Sequence, residues 1–144
     1  MDAEDRAGWE AVDHTADLAV RVWAPDLAGL FRQAAVALAH LLAGGPPVEG
    51  GEPATLVVTG IDLEELLVGW LNEILYRIES EGLLLQGITS MRISEFSEGY
   101  CLEVDAGVAP LDGRVAPVKA ATYHGLKIDP GAANGYDLTI VFDT

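Results

Sequence analysis

The sequence predicts an α+β fold of two layers: a mostly antiparallel sheet with two amphipathic helices packed on one face. Three observations lead there. Two segments, residues 27–42 and 63–78, repeat apolar side chains at three- and four-residue spacing, the period of a single helix face. Beyond Gly82 that period disappears, and alternating or β-branched runs replace it. The runs are separated by SEG, PLDG and DPGAANG, whose Gly, Pro, Asp and Asn suit turns that return a strand alongside its neighbour.

In chain order, LAVRVW at residues 18–23 alternates Leu18, Val20 and Val22 against Arg21 and Trp23, as a half-buried strand does. Pro25 and Asp26 interrupt it, and Asp26 can cap a helix whose stripe is Leu27, Leu30, Phe31, Ala34, Leu38, Leu41 and Leu42. Gly44, Gly45, Pro46 and Pro47 stop that helix. Residues 46–53 then read as a loop and TLVVTG, 55–60, as a second strand. Asp62 and Glu65 have capping spacing ahead of Leu63, Leu66, Leu67, Trp70, Leu71, Ile74, Leu75 and Ile78, with Glu64, Asn72, Glu73 and Arg77 toward solvent and Gly82 as the stop. Gly69 weakens the middle of this helix by about 1 kcal/mol relative to Ala, which a close helix contact would explain. Strands are expected near 83–96, 99–106, 118–128 and 136–142, giving two helices and six or seven strands in one domain spanning residues 1–144.

The whole chain narrows the function classes. Its 144 residues are half hydrophobic and 22% charged, which fits one globular domain that can bury a sizeable core. No apolar run approaches the roughly 20 residues of a membrane span, and MDAEDRAGWE has no signal-peptide character, so a cytoplasmic protein without a membrane partner is expected. Only eight Lys and Arg face 23 Asp and Glu, a net charge of −15 that repels phosphate backbones. Tight direct nucleic-acid binding is therefore not expected. Cys101 is the single cysteine, so an internal disulfide and a multi-thiolate zinc site are excluded, and its strand setting favours a structural thiol over a nucleophile.

The candidate chemistry begins in DHTADLAV, residues 13–20, where Asp13, His14 and Asp17 precede an apolar strand. Asp143 closes another strand one residue before Thr144. If the two strands pair antiparallel, Asp17 and Asp143 come together and the terminal carboxylate of Thr144 joins them. Negative groups so placed repel one another, and a hard divalent cation relieves this through oxygen ligands. On spacing alone, turn capping is the commoner role for such aspartates. A second candidate is VKAATYHGLKI, 118–128, where Lys119 stands out in a cation-poor chain as a partner for an anion, with solubility of an edge strand as the plainer role. His14 and His124 could join a site, although lone histidines are more often structural. His40 lies in the first helix, where partial burial is expected. No phosphate-binding loop, nucleophile elbow or dinucleotide fingerprint is present.

Together DHTAD, LEELLVGWLNEILYRIESEG, VKAATYHGL and the final VFD resemble the archease family, in order and spacing, from Asp13 to Thr144. The resemblance implies a non-enzymatic activator of the GTP-dependent RNA ligase of tRNA splicing, promoting ligase guanylylation and repeated turnover through a transient complex. It also implies a divalent metal, calcium being usual, held at Asp17, Asp143 and Thr144. Lys119, His14 and His124 are the positions expected to contact the partner. Thr144 departs from the apolar Ile common at the family's last position. An acidic chaperone or modulator of nucleic-acid-processing proteins is the alternative. A metal-dependent phosphohydrolase is a third reading, with no substrate pocket legible in the sequence to support it.

Overall fold

In the computed structural model, which describes residues 6–13, 17–47, 50–111, 113 and 116–144, both helices start and stop on the residues the sequence marks for them. Helix α1 spans Leu27–Ala43. Asp26 has extended backbone, and its side chain accepts the N–H of Gly29 at 2.7 Å. Helix α2 spans Leu63–Glu81, with the Asp62 carboxylate accepting the N–H of Glu65 at 2.7 Å. Each cap satisfies a donor that the helix geometry would otherwise orphan, a contribution of about 1 kcal/mol. Gly44 and Gly82 end the helices with φ of 79° and 69°, a left-handed conformation in which glycine carries no Cβ penalty.

The helices bury the stripes their spacing defines. On α1 the buried side chains include Leu30, Phe31, Ala34, Leu38 and Leu42, and on α2 they include Leu66, Leu67, Trp70, Leu71 and Ile74. Trp70 is wholly buried, and its indole N–H donates to the main-chain carbonyl of Phe31 at 3.1 Å. That hydrogen bond lets a large aromatic enter the core without stranding a polar atom, and fixes α2 against α1. Gly69 serves a strand rather than a helix: a Cβ there would lie 3.2 Å from a methyl of Val58.

Seven strands are found among the described residues: β1 Gly8–Val12, β2 Leu18–Ala24, β3 Glu52–Gly60, β4 Leu83–Phe96, β5 Gly99–Pro110, β6 Ala120–Ala121 and β7 Tyr136–Asp143. Every pairing is antiparallel, as the turn chemistry predicts. They form two sheets instead of the single one expected, ordered β1-β2-β7-β6 and β3-β5-β4. The connection through α1 carries the chain from one sheet to the other, and register irregularities near Ile88 bend β4 against β5. Helix α1 packs on β2 and β4, and α2 packs on β3, β4, β5 and β6. One hydrophobic cluster consequently takes Val20, Val22 and Phe142 from the first sheet and Leu56, Leu102 and Val104 from the second.

Two strand expectations require correction, and one strand was not expected. Residues 118–128 yield only the two-residue β6. Thr122 still donates its N–H to the carbonyl of Val141 at 3.0 Å, but Leu126 then turns back onto Tyr123, and the chain leaves the sheet. The polar alternation does not extend the strand past Ala121, and the turn that follows holds Gly125 at φ 63°. Strand β1 carried no expectation, being five residues long and paired only with β2. Strand β3 starts at Glu52, inside the expected loop, because Pro53 lies on a strand at the sheet edge, where a missing N–H costs no ladder bond.

The remaining side-chain placements follow the pattern. Cys101 is half-buried, with Leu102 and Val104 facing the core on the opposite side of β5. His40 is half-buried and meets Trp9 edge-on at 5.0 Å between ring centroids.

Candidate functional site

Strands β2 and β7 are neighbours, and their register runs from Ala24 opposite Tyr136 to Leu18 opposite Phe142. Asp17 directly precedes the last pair of this ladder and Asp143 directly follows it. The antiparallel pairing on which that expectation depends is therefore present, and the core enforces its register. Val20, Val22 and Phe142 are completely buried and Ile140 nearly so, and slipping either strand by one residue would turn these side chains to water.

The other side of Asp143 is occupied by β6. Ala120 is its register partner, and the N–H of Lys119 donates to the carbonyl of Asp143 at 2.8 Å. Val118 and Ala121 are buried on either side, so the exposed Lys119 side chain rides on a backbone fixed at both flanks. Ion pairs among the described residues engage Arg21, Arg77 and Arg92, and Lys119 is in none of them. Asp143, Thr144 and Lys119 thus meet at one corner of the first sheet, at the end where β2 begins just after Asp17. Asp143, Thr144 and Lys119 are exposed there and Asp17 is half-buried.

His14 lies outside the described residues. His124 is exposed and sits beyond β6, its N–H donating to the hydroxyl of Thr122 at 3.3 Å. It lines a shallow hollow with Lys127, Thr139 and Val141, alongside the middle of β7 and not at its Asp143 end.

Two residues that the sequence assigned to solvent help to build this corner. Asn72 accepts the N–H of Ala121 at 2.8 Å, and Glu64 accepts the N–H of Ile128 at 2.7 Å. Helix α2 thereby holds both ends of the segment that follows Lys119. A polar side chain beside a helix stripe looks like ordinary surface until the backbone group it satisfies is placed, and the only signal was the position of Asn72 within WLNE.

No group of three His, Cys, Asp or Glu side chains among the described residues could hold a metal ion. Bound here, an ion would have two carboxylates and would need further oxygens from the main chain or from Thr144. This is an all-oxygen donor set, the kind that suits calcium or magnesium and not the thiolate or imidazole preference of zinc. The residues fit a hard divalent cation on that chemistry.

The first sheet bears a second charged group on its outer face. Arg21 pairs with both Asp137 and Glu10, donating from its Nε to Asp137 at 2.9 Å, and stacks over Trp23 at 4.9 Å from the ring centroid. The hydrogen bonds from Arg21 hold the Asp137 carboxyl below its ordinary range. Arg21 is neutralised in place, which leaves Lys119 as the cation presented at the acidic corner.

The arrangement defines a small α+β protein with an oxygen-rich corner where the ends of two paired strands meet. Comparison with known proteins gives it a family. The family model described as Archease protein family (MTH1598/TM1083) matches residues 9–144. The chain is 38% identical over 125 residues to Protein archease of Methanopyrus kandleri, covering 84% of this chain and 89% of that one. It is 32% identical over 139 residues to Protein archease of Sulfurisphaera tokodaii, covering 94% and 97%. The solution structure of Methanobacterium thermoautotrophicum protein 1598 superimposes with a TM-score of 0.74 at 27% identity, covering 95% of this chain and 99% of that one. The chain belongs to the archease family.

Among the described residues, no helix is long and apolar enough to cross a membrane.

Proposed function

We propose that this protein is a non-enzymatic, metal-binding activator of the GTP-dependent RNA ligase of tRNA splicing, a transient cytoplasmic partner that promotes ligase guanylylation and multiple turnover. Membership of the archease family supports the partner. The β2–β7 register, which opposes Leu18 to Phe142 and so leads Asp17 toward Asp143, is the observation that carries the site.

In this reading Asp17 and Asp143 hold a divalent cation, calcium on the family's pattern, with oxygens of Thr144 completing its shell. When bound, such an ion offsets the carboxylate repulsion and presents a Lewis acid to a phosphate oxygen. Lys119 orients the nucleotide's phosphates by charge, and its fixed backbone keeps that charge beside the acidic pair. His14 and His124 contact the partner. A net charge of −15 favours fast docking on a basic enzyme surface and disfavours a grip on RNA itself.

The test mixes the ligase with substoichiometric protein and counts ligations per ligase molecule. Several turnovers with the natural chain, and about one with Asp17→Ala or Asp143→Ala, are expected. Normal stimulation by both variants would remove the metal from the mechanism. Suppression of aggregation across unrelated client proteins, without ligase stimulation, would support a chaperone instead.

A further inference from the structure

Most large hydrophobic side chains are buried here, and the exposed ones are not scattered evenly. Of the five exposed among the described residues, Ile61, Phe96 and Tyr123 gather around the start of α2, at 72%, 46% and 55% exposure. Ile61 and Phe96 line one shallow depression of about 210 Å³ together with Glu65 and Glu98. Single exposed apolar residues need no explanation, whereas a group of them marks a contact surface.

The group is held rigidly. Phe96 ends β4 opposite Gly99, and the turn they close packs directly against the connection from β3 to α2. A Cβ on Gly99 would come within 2.2 Å of the carbonyl oxygen of Gly60, so only glycine allows this approach, and the approach is what sets Phe96 beside Ile61. Tyr123 belongs to the segment after β6 that Glu64, in the first turn of α2, ties down through Ile128. Burial of its ring raises the Tyr123 hydroxyl above the ordinary tyrosine value, and the nearby charges of Glu65 and Asp62 raise it further.

A residue in the position of Ile61, just before a helix cap, often packs onto the fourth helical residue, here Leu66. Ile61 remains 72% exposed, so that packing does not account for it. The charged residues lining the depression, Glu65 and Glu98, are both acidic, and Asp62 directly follows Ile61 in the chain. Tyr123 follows β6 by two residues, so the patch flanks the short strand that Lys119 precedes and that pairs with Asp143.

We propose that Ile61, Phe96 and Tyr123 form the docking surface for the RNA ligase, which meets them with an apolar depression ringed by Lys and Arg. The assignment rests on the activator reading above and supplies its missing contact: the acidic corner acts on the nucleotide site, while this patch supplies affinity. Buried aromatic and aliphatic anchors carry most of the binding energy in such interfaces, and rim charges mainly set the association rate.

The experiment measures ligase affinity and ligase turnover for the natural chain and for Ile61→Ser/Phe96→Ser, with thermal unfolding and calcium titration of both proteins. The double variant is expected to keep its calcium affinity and to weaken ligase binding at least tenfold. Stimulation should then return when the variant is supplied in excess, because the acidic corner is intact. Ile61→Ser alone, at a position too exposed to disturb folding, is expected to weaken binding about threefold. Glu98→Lys should slow association and flatten its salt dependence. Unchanged affinity in the folded variants, with the natural chain stimulating the ligase, overturns the docking surface and leaves the activator reading standing. No binding and no stimulation by the natural chain overturn both.

Discussion

The side-chain oxygen of Asn72 accepts the main-chain N–H of Ala121 at 2.8 Å, joining the middle of α2 to the shortest strand of the fold. Two residues of sheet cannot hold themselves in place, and this bond supplies what strand length does not. Lys119 and its hydrogen bond to the carbonyl of Asp143 depend on it. Asn72→Leu strands a nearly buried N–H and is expected to cost about 1–3 kcal/mol, with faster hydrogen exchange at Lys119 and Ala121. Asn72→Asp, which keeps an acceptor, should cost less. Equal protection in the leucine variant and the natural chain would show that β6 is held by packing alone.

Removing a carboxylate from the acidic corner should separate metal affinity from folding. Asp17→Asn and Asp143→Asn are each expected to weaken calcium binding at least tenfold, about 1.4 kcal/mol, in calorimetric titration. The unfolding temperature of Asp143→Asn without metal should stay equal to or above that of the natural chain, since one member of a repelling pair is gone. Tight calcium binding by both variants would move the site elsewhere.

Phe142 is wholly buried beside Asp143, so the core and the candidate site meet there. Phe142→Ala is expected to cost about 3–5 kcal/mol through lost burial and a residual cavity, measured by chemical denaturation. Calcium affinity should fall with it, because the same side chain fixes the register opposite Leu18. Phe142→Leu, which keeps most of the volume, should restore both.

Lys119→Ala should leave stability within about 0.5 kcal/mol, as expected of an exposed side chain outside the ion pairs of the described residues, while lowering ligase stimulation. Lys119→Glu should lower it further by reversing the charge offered to phosphate. The same assay of ligations per ligase decides this, and full stimulation by Lys119→Glu would exclude the residue from the contact.

Strong acid should weaken the second sheet at Asp105. Its carboxyl lies below the ordinary range because the hydroxyls of Thr55 and Ser90 donate to it, at 2.7 and 3.0 Å. A carboxyl with a lower pKa in the folded state stabilises the fold above the unfolded value of about 3.9 and loses that contribution as pH falls through the folded value. Denaturation midpoints of Asp105→Asn should therefore decline less than those of the natural chain as pH falls below about 4. Parallel declines would show that the two hydroxyl bonds are worth the same to the acid and to its anion.

Both helices were legible in the sequence down to their capping residues, because a helix is specified locally: Asp26 and Asp62 bond within one turn, and Gly44 and Gly82 act on their own φ. The long hairpin of β4 and β5 was legible for a similar reason, a turn at SEG between two alternating runs. The short elements were not. Strand β6 exists because Asn72 and Asp143 meet it, and β1 because β2 offers an edge, and neither partner is near in sequence. The division into two sheets was hidden as well, since hydrophobic alternation records that a strand has a buried face and not which sheet it joins.

The sequence by itself determined the helices, their caps, the antiparallel strands, the strong negative charge and membership of the archease family, all carried by neighbouring residues or by motifs in order. Only the tertiary structure decided that β2 pairs with β7 with Leu18 opposite Phe142, that the Lys119 N–H bonds the carbonyl of Asp143, and that Ile61 and Phe96 line one depression. Each of these relations spans tens of residues and is enforced by burial of Val20, Val22, Phe142 and Trp70, a constraint that appears only when the two sheets close on one core.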